Sequence, residues 1–72
     1  MIETTVIMNV QVNRTVIEIF EGAQAQHAVL RYLVRRRLSK SLLTQGRIFD
    51  AWGHEIGLDA PLHEGQTIKF KK

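Results

Sequence analysis

The chain has no cysteine among its 72 residues. Disulfides, thiolate zinc sites and cysteine-ligated iron–sulfur clusters are therefore excluded. One proline and five glycines are too few for a low-complexity or linker segment. No apolar run approaches the roughly 18 residues of a membrane span. The first residues lack the basic region and apolar stretch of a signal peptide, so the expectation is a cytoplasmic protein with no membrane partner. Acidic residues are missing from one whole stretch. From Gly22 to Phe49 there are six basic residues (Arg31, Arg35, Arg36, Arg37, Lys40, Arg47) and no Asp or Glu, while the rest holds four basic residues and all seven acids. A basic centre between acidic ends steers an acidic partner toward that centre.

What is present fits one small folded domain spanning residues 1–72. A hydrophobic content of 44% separates the chain from disordered sequences. A domain of this size buries only about 60% of its unfolded surface, so nearly every aliphatic residue must serve the core.

The pattern along the chain predicts an α+β domain. Thr4 to Val12 alternates, with Val6, Met8, Val10 and Val12 on one face, the period of a half-buried strand. Asn13-Arg14 forms a two-residue turn, since Asn tolerates a left-handed backbone. Thr15 to Phe20 is β-branched, with Ile17 and Ile19 inward, and Gly22 ends it. A helix is predicted from about Gln24 to Leu38, its buried stripe being Ala25, Ala28, Val29, Tyr32 and Leu33. Leu30 and Val34 fall outside that stripe, to be covered by Leu42-Leu43 or left partly exposed. The helix continues until Ser39-Lys40-Ser41, where short polar side chains compete for the backbone, and three arginines in its last turns complement its dipole. Arg47 to Asp50, His54 to Ile56 and Gln66 to Phe70 follow as strands, with Ile68 and Phe70 inward. The predicted order is β-β-α-β-β-β: a mixed sheet of four to five strands with one helix across it.

Phe20-Glu21-Gly22-Ala23 before the helix, with Ile56-Gly57-Leu58-Asp59-Ala60-Pro61-Leu62-His63-Glu64-Gly65-Gln66-Thr67-Ile68 near the end, resembles the β-grasp (ubiquitin-like) superfamily. Two groups within it are most similar: the TGS domains that accompany threonyl-tRNA synthetases and some GTPases, and the ThiS and MoaD sulfur carriers. The resemblance covers almost the whole chain, but its marks are turn residues and core spacing, which specify a fold better than an activity. The carrier group implies a C-terminal Gly-Gly tail that becomes a thiocarboxylate. The sequence given ends Ile68-Lys69-Phe70-Lys71-Lys72, so the expectation under that resemblance is a carrier-like fold without the carrier chemistry. Plant-type ferredoxins share the core, but their cluster needs four cysteines.

Candidate functional residues are few. Arg31, Arg35, Arg36, Arg37, Lys40 and Arg47 could contact phosphates, and the TGS resemblance adds an association with RNA. No RNP-type aromatic motif or zinc knuckle accompanies them. The plainer reading is a solvated helix end. His27, His54 and His63 lack metal-ligand spacing and read as solvent-facing. Ser39 and Ser41 have no Gly-x-Ser-x-Gly elbow, and the glycines fit neither the Walker nor the dinucleotide pattern. The chain is therefore expected to be non-enzymatic, with no cofactor and no metal. Trp52, between Ala51 and Gly53, is either a lid over one end of the core or an exposed anchor, which Phe49 and Leu58 would enlarge. Trp and Arg dominate interface hot spots. The expected function is a protein-interaction module, its partner a larger enzyme or a second copy. The first alternative is an RNA-binding TGS-like module, and the second a ThiS/MoaD-like protein without its Gly-Gly. The expected surface is flat, on the outer face of the sheet or the helix end and not in a cleft, and draws on some of Trp52, Phe49, Arg35, Arg36, Arg37 and Leu30.

Overall fold

Alternation in the first third of the chain produces a hairpin. The computed structural model describes residues 6–71. Strands β1 (Ile7–Val12) and β2 (Thr15–Phe20) pair antiparallel from Val12–Thr15 at the turn to Ile7–Phe20 at the base. Asn13 takes φ of 57° in the turn, the left-handed conformation that Asn adopts more readily than most residues. Met8, Val10, Val12, Ile17 and Ile19 are buried as the alternation predicts. Val6 is a correction: it is 54% exposed, because it lies beyond the last strand pair. The expected start of the strand at Thr4 and Thr5 lies outside the described residues.

Helix α1 (Ala25–Arg35) buries the predicted stripe of Ala25, Ala28, Val29, Tyr32 and Leu33. Its start is held from two directions. The backbone N–H of Gln24 donates to Nδ1 of His27 at 2.9 Å, the return half of a capping box. The N–H groups of Ala25 and Gln26 donate to the carbonyls of Ala60 and Leu58, at 2.8 and 2.9 Å. The Leu-Asp-x-Pro-Leu bend thus occupies donors that a helix start otherwise leaves unpaired. His27, expected to face solvent, is half-buried and its ring lies 5.3 Å from that of Phe20.

The helix ends earlier than predicted. Arg37 adopts φ of 58°. Its N–H donates to the carbonyl of Val34 at 3.0 Å, and the N–H of Leu38 donates to that of Leu33 at 2.7 Å. This is a Schellman termination with Arg in the position usually given to Gly. Arg37 and Leu38 therefore lie beyond the helix. A second helix that the pattern did not predict, the single turn α2 (Leu42–Gln45), packs Leu42 and Leu43 against the core.

Strands β3 (Arg47–Asp50), β4 (Glu55–Ile56) and β5 (Thr67–Lys71) complete a five-stranded sheet in the order β2-β1-β5-β3-β4. The sheet is mixed: β1 and β5 run parallel, and the other pairs are antiparallel. Ile48, Ile68 and Phe70 join the core under α1, together with Leu62. The architecture is a small α+β domain with one main helix on one face of the sheet. No helix of the described residues is long and apolar enough to cross a membrane.

Candidate functional site

A two-residue hairpin fixes which backbone groups of β2 reach β1. Val12–Thr15 closes the turn, so Thr15, Ile17 and Ile19 exchange hydrogen bonds with β1. Val16, Glu18 and Phe20 then point their N–H and C=O groups the other way. Since β2 is an edge of the sheet, those groups face open space beside α1. Two of them are occupied. Arg35 Nη1 donates to the carbonyl of Val16 at 2.9 Å, and the carbonyl of Phe20 accepts from the N–H of Ala23 at 3.2 Å.

Beside this edge the surface forms an open groove of about 630 Å³. Ile17, Glu18 and Phe20 line it from the strand, and His27, Leu30 and Val34 from the helix. Arg31, Arg35 and Lys40 complete the lining. Glu18 is the sole acid among the lining residues, against three bases. Val34 is 55% exposed and Phe20 38%, so the walls present apolar area to solvent. The groove arises because α1 carries more apolar residues than its buried stripe needs. Leu42 and Leu43 fill in against the core and leave Leu30 half-buried and Val34 exposed.

The structure divides the six residues singled out in the sequence. Leu30 and Arg35 line the groove. Arg36 is exposed and its guanidinium lies 6.0 Å from the centroid of the Tyr32 ring, within cation–π range. Arg37 turns the chain out of the helix. Phe49, half-buried, belongs to β3, three strands from β2, a separation of about 14 Å at normal strand spacing. It lies on the face away from the core, with Lys71 Nζ 5.8 Å from its ring centroid. Trp52, in the β3–β4 turn, is 82% exposed, so it covers no core. The reading of Trp52 as a lid is overturned, and the six residues do not form one patch. Leu58 is exposed, with its carbonyl held at the start of α1. Beside the expected flat surface, the helix stands off the sheet edge far enough to leave the open groove.

Trp52 is held at its turn by Asp50. The carboxylate Oδ1 accepts the N–H of Trp52 at 2.9 Å and that of His54 at 2.8 Å, and Oδ2 lies 3.4 Å from His54 Nδ1. The hydrogen bond from the His54 backbone is the largest influence holding the Asp50 carboxyl below the usual carboxylate pKa; desolvation opposes it, and the Trp52 N–H and the His54 ring reinforce it.

Phe20, His27 and Glu18 were not singled out as binding residues in the sequence, and Lys40 and Arg31 only as phosphate contacts. A signal for them existed in the i, i+4 pair Leu30 and Val34, which lay off the core stripe together with Arg31 and Arg35. Which strand borders that face depends on the sheet order, and periodicity does not report it. No protein-family model and no curated protein matches this chain.

Proposed function

We propose that this chain is a β-grasp (ubiquitin-like) module that binds another protein through the groove between β2 and α1, and that it catalyses nothing itself. The observation that carries the reading is the groove: apolar walls from exposed Phe20 and Val34 and half-buried Leu30, beside Arg31, Arg35 and Lys40. Apolar area flanked by Arg is the chemistry of protein-recognition surfaces. The sheet order, with β1 and β5 parallel and adjacent and α1 joining the first hairpin to β3, supports the β-grasp part.

The test is capture of a partner from the native cell by the wild-type domain, by Val34→Glu and by Trp52→Ala. Loss of the partner with Val34→Glu alone, and amide shifts along β2 and α1 when the purified partner is added, is the expected result. Loss with Trp52→Ala and not with Val34→Glu would move the site to the β3–β4 turn and refute the groove.

A second reading, an RNA-binding TGS-like module, is favoured by one observation. Arg31, Arg35, Arg36, Arg37 and Lys40 are all exposed and lie within one stretch of helix and adjoining loop. Arg35 is already engaged with the Val16 carbonyl, which ranks this reading second. A carrier-like ancestry rests on the sequence resemblance, and the groove adds nothing to it.

A further inference from the structure

We infer that the groove takes an extended, acid-ended segment of the partner, which adds to the sheet as a further strand along β2. The inference rests on the protein-binding reading and specifies how binding occurs.

Three observations lead to it. First, the edge is open where it matters. The N–H groups of Val16, Glu18 and Phe20 and the carbonyl of Glu18 point away from β1 and have no hydrogen-bond partner among the described residues. Such a row templates an added strand. The other edge, β4, has only two residues and offers no comparable row.

Second, the groove stands where the added strand would lie. A strand placed at normal spacing, about 4.8 Å from β2, would run between β2 and the exposed side of α1. Its side chains would alternate between the two faces. Those toward the helix would meet Leu30, Val34 and the flank of Ile17, and those on the far face would lie beside Val16, which is outside the groove lining. Apolar residues at every second position are therefore required.

Third, the charge selects the occupant. Arg35 brings basic charge to the Val16 end, where it reaches the strand, whereas Phe20 and His27 form an aromatic pair at the other. An acid-ended segment would place its carboxylates at the Arg35 end. A second copy of the chain fits less well. Two-fold antiparallel pairing of β2 with itself centred on Glu18 sets Glu18 against Glu18, a destabilising opposition, and merges two grooves of the same positive excess. Arg35 must release or share the Val16 carbonyl when the segment enters, so it guards the edge while it is empty.

The experiment titrates three synthetic peptides into the 72-residue chain and follows its amide resonances. One is Val-Thr-Val-Thr-Val followed by two Glu. In the second, two Lys replace the Glu residues, and in the third the first is N-methylated at alternate residues to remove ladder donors. Expected are shifts at Val16, Glu18 and Phe20, slowed hydrogen exchange at the Glu18 N–H, affinity at least about tenfold weaker for the Lys peptide, and no binding of the methylated one. Equal binding of the methylated peptide would overturn strand addition and leave the groove as a protein site. No shift from the Glu peptide up to about 1 mM, a weak but measurable range, would overturn it too, and the Val34→Glu capture reports separately on the protein-binding reading. Concentration-dependent dimer formation that shifts Val16, Glu18 and Phe20 and that the Glu peptide fails to reverse would assign the edge to a second copy and overturn the acidic segment.

Discussion

The side-chain amide of Asn13 embraces the backbone of Phe70: Oδ1 accepts the Phe70 N–H at 3.0 Å, and Nδ2 donates to its carbonyl at 3.4 Å. The same Nδ2 donates to the hydroxyl of Tyr32 at 3.1 Å, and the Asn13 N–H donates to the Ile68 carbonyl at 2.9 Å. A turn residue thereby joins the hairpin, the helix and β5. It extends the β1–β5 pairing past Val12–Ile68, where the paired residues stop.

Asn13→Ala removes these side-chain bonds and also places Ala at a positive φ. Leaving the part-buried Phe70 N–H unpaired costs about 1–3 kcal/mol, and the left-handed backbone adds about 1–2 kcal/mol for a residue with a Cβ. Asn13→Gly loses the bonds without the backbone cost. Thermal unfolding should therefore place both variants below wild type, with Ala the lower. Equal midpoints for Gly and wild type would show that the amide contributes nothing.

Arg37→Gly should stabilise the domain. Gly occupies the left-handed position at the helix end without the steric cost of about 1–2 kcal/mol that Arg bears. Part of that gain is offset by the greater freedom of Gly in the unfolded chain, about 0.5–1 kcal/mol. A net gain of about 0.5–1 kcal/mol raises the melting midpoint by about 2–8 °C at this size. A lower midpoint would mean that the Arg37 side chain makes contacts that outweigh its backbone.

That residue also shows where the sequence was readable. The stripe from Ala25 to Leu33 and the alternation around Val10 and Ile17 were legible because burial imposes its own period on the sequence. The helix end was not, because the terminating position holds Arg where Gly would have announced it. The inner face of β5 was read correctly from Ile68 and Phe70. Of the candidate groove, Leu30 and Arg35 were legible in the sequence, whereas placing Phe20 and Glu18 there needed the knowledge that β2 is an edge. Pairing between strands distant in sequence decides that, and no local pattern encodes it. Trp52 left a lid and an exposed anchor both open for the same reason, since its neighbours in space are set by the β3–β4 turn.

Gly46 has a packing role. A Cβ there would strike the Phe70 ring and come within 2.7 Å of the Lys71 carbonyl oxygen. Gly46→Ala should cost about 1–3 kcal/mol, the usual range for overpacking. Combining it with Phe70→Leu should cost less than the sum of the two single changes, because the ring is one of the atoms that must yield. Strict additivity in chemical denaturation would show that the overlap is relieved elsewhere.

The Asp50 carboxyl should titrate below its ordinary value of 3.8, because the charged form accepts the backbone N–H groups of His54 and Trp52. A depressed value in the folded state contributes stability that is present above the unfolded value. It is lost as pH falls through the folded one. The window is therefore at and below about pH 4, and neutral pH is unaffected. The Trp52 and His54 amide resonances should report a midpoint under 3.8, and Asp50→Asn should abolish that titration. A midpoint at or above 3.8 would mean that the turn does not hold the carboxylate in solution. The single tryptophan should emit as a solvent-exposed indole at neutral pH, and a blue-shifted emission would restore the lid.

RNA binding makes a separate demand on salt. Arg31, Arg36, Arg37 and Lys40 remain free to meet phosphates even while Arg35 holds the Val16 carbonyl. If they do, affinity for single-stranded RNA should fall steeply with salt, with a logarithmic slope near 0.7 per phosphate neutralised. Arg36→Ala with Arg37→Ala should then flatten that slope by about 1.4. Under the protein-binding reading, labelled RNA should stay unbound at about 100 μM protein in low salt, a concentration at which non-specific binding normally registers. Binding below that concentration, with the predicted loss of slope, would promote the RNA reading over the protein one. Binding whose slope ignores both arginines would place the contact elsewhere on the domain, with Lys69 and Lys71 on the outer face of β5 as the next residues to substitute.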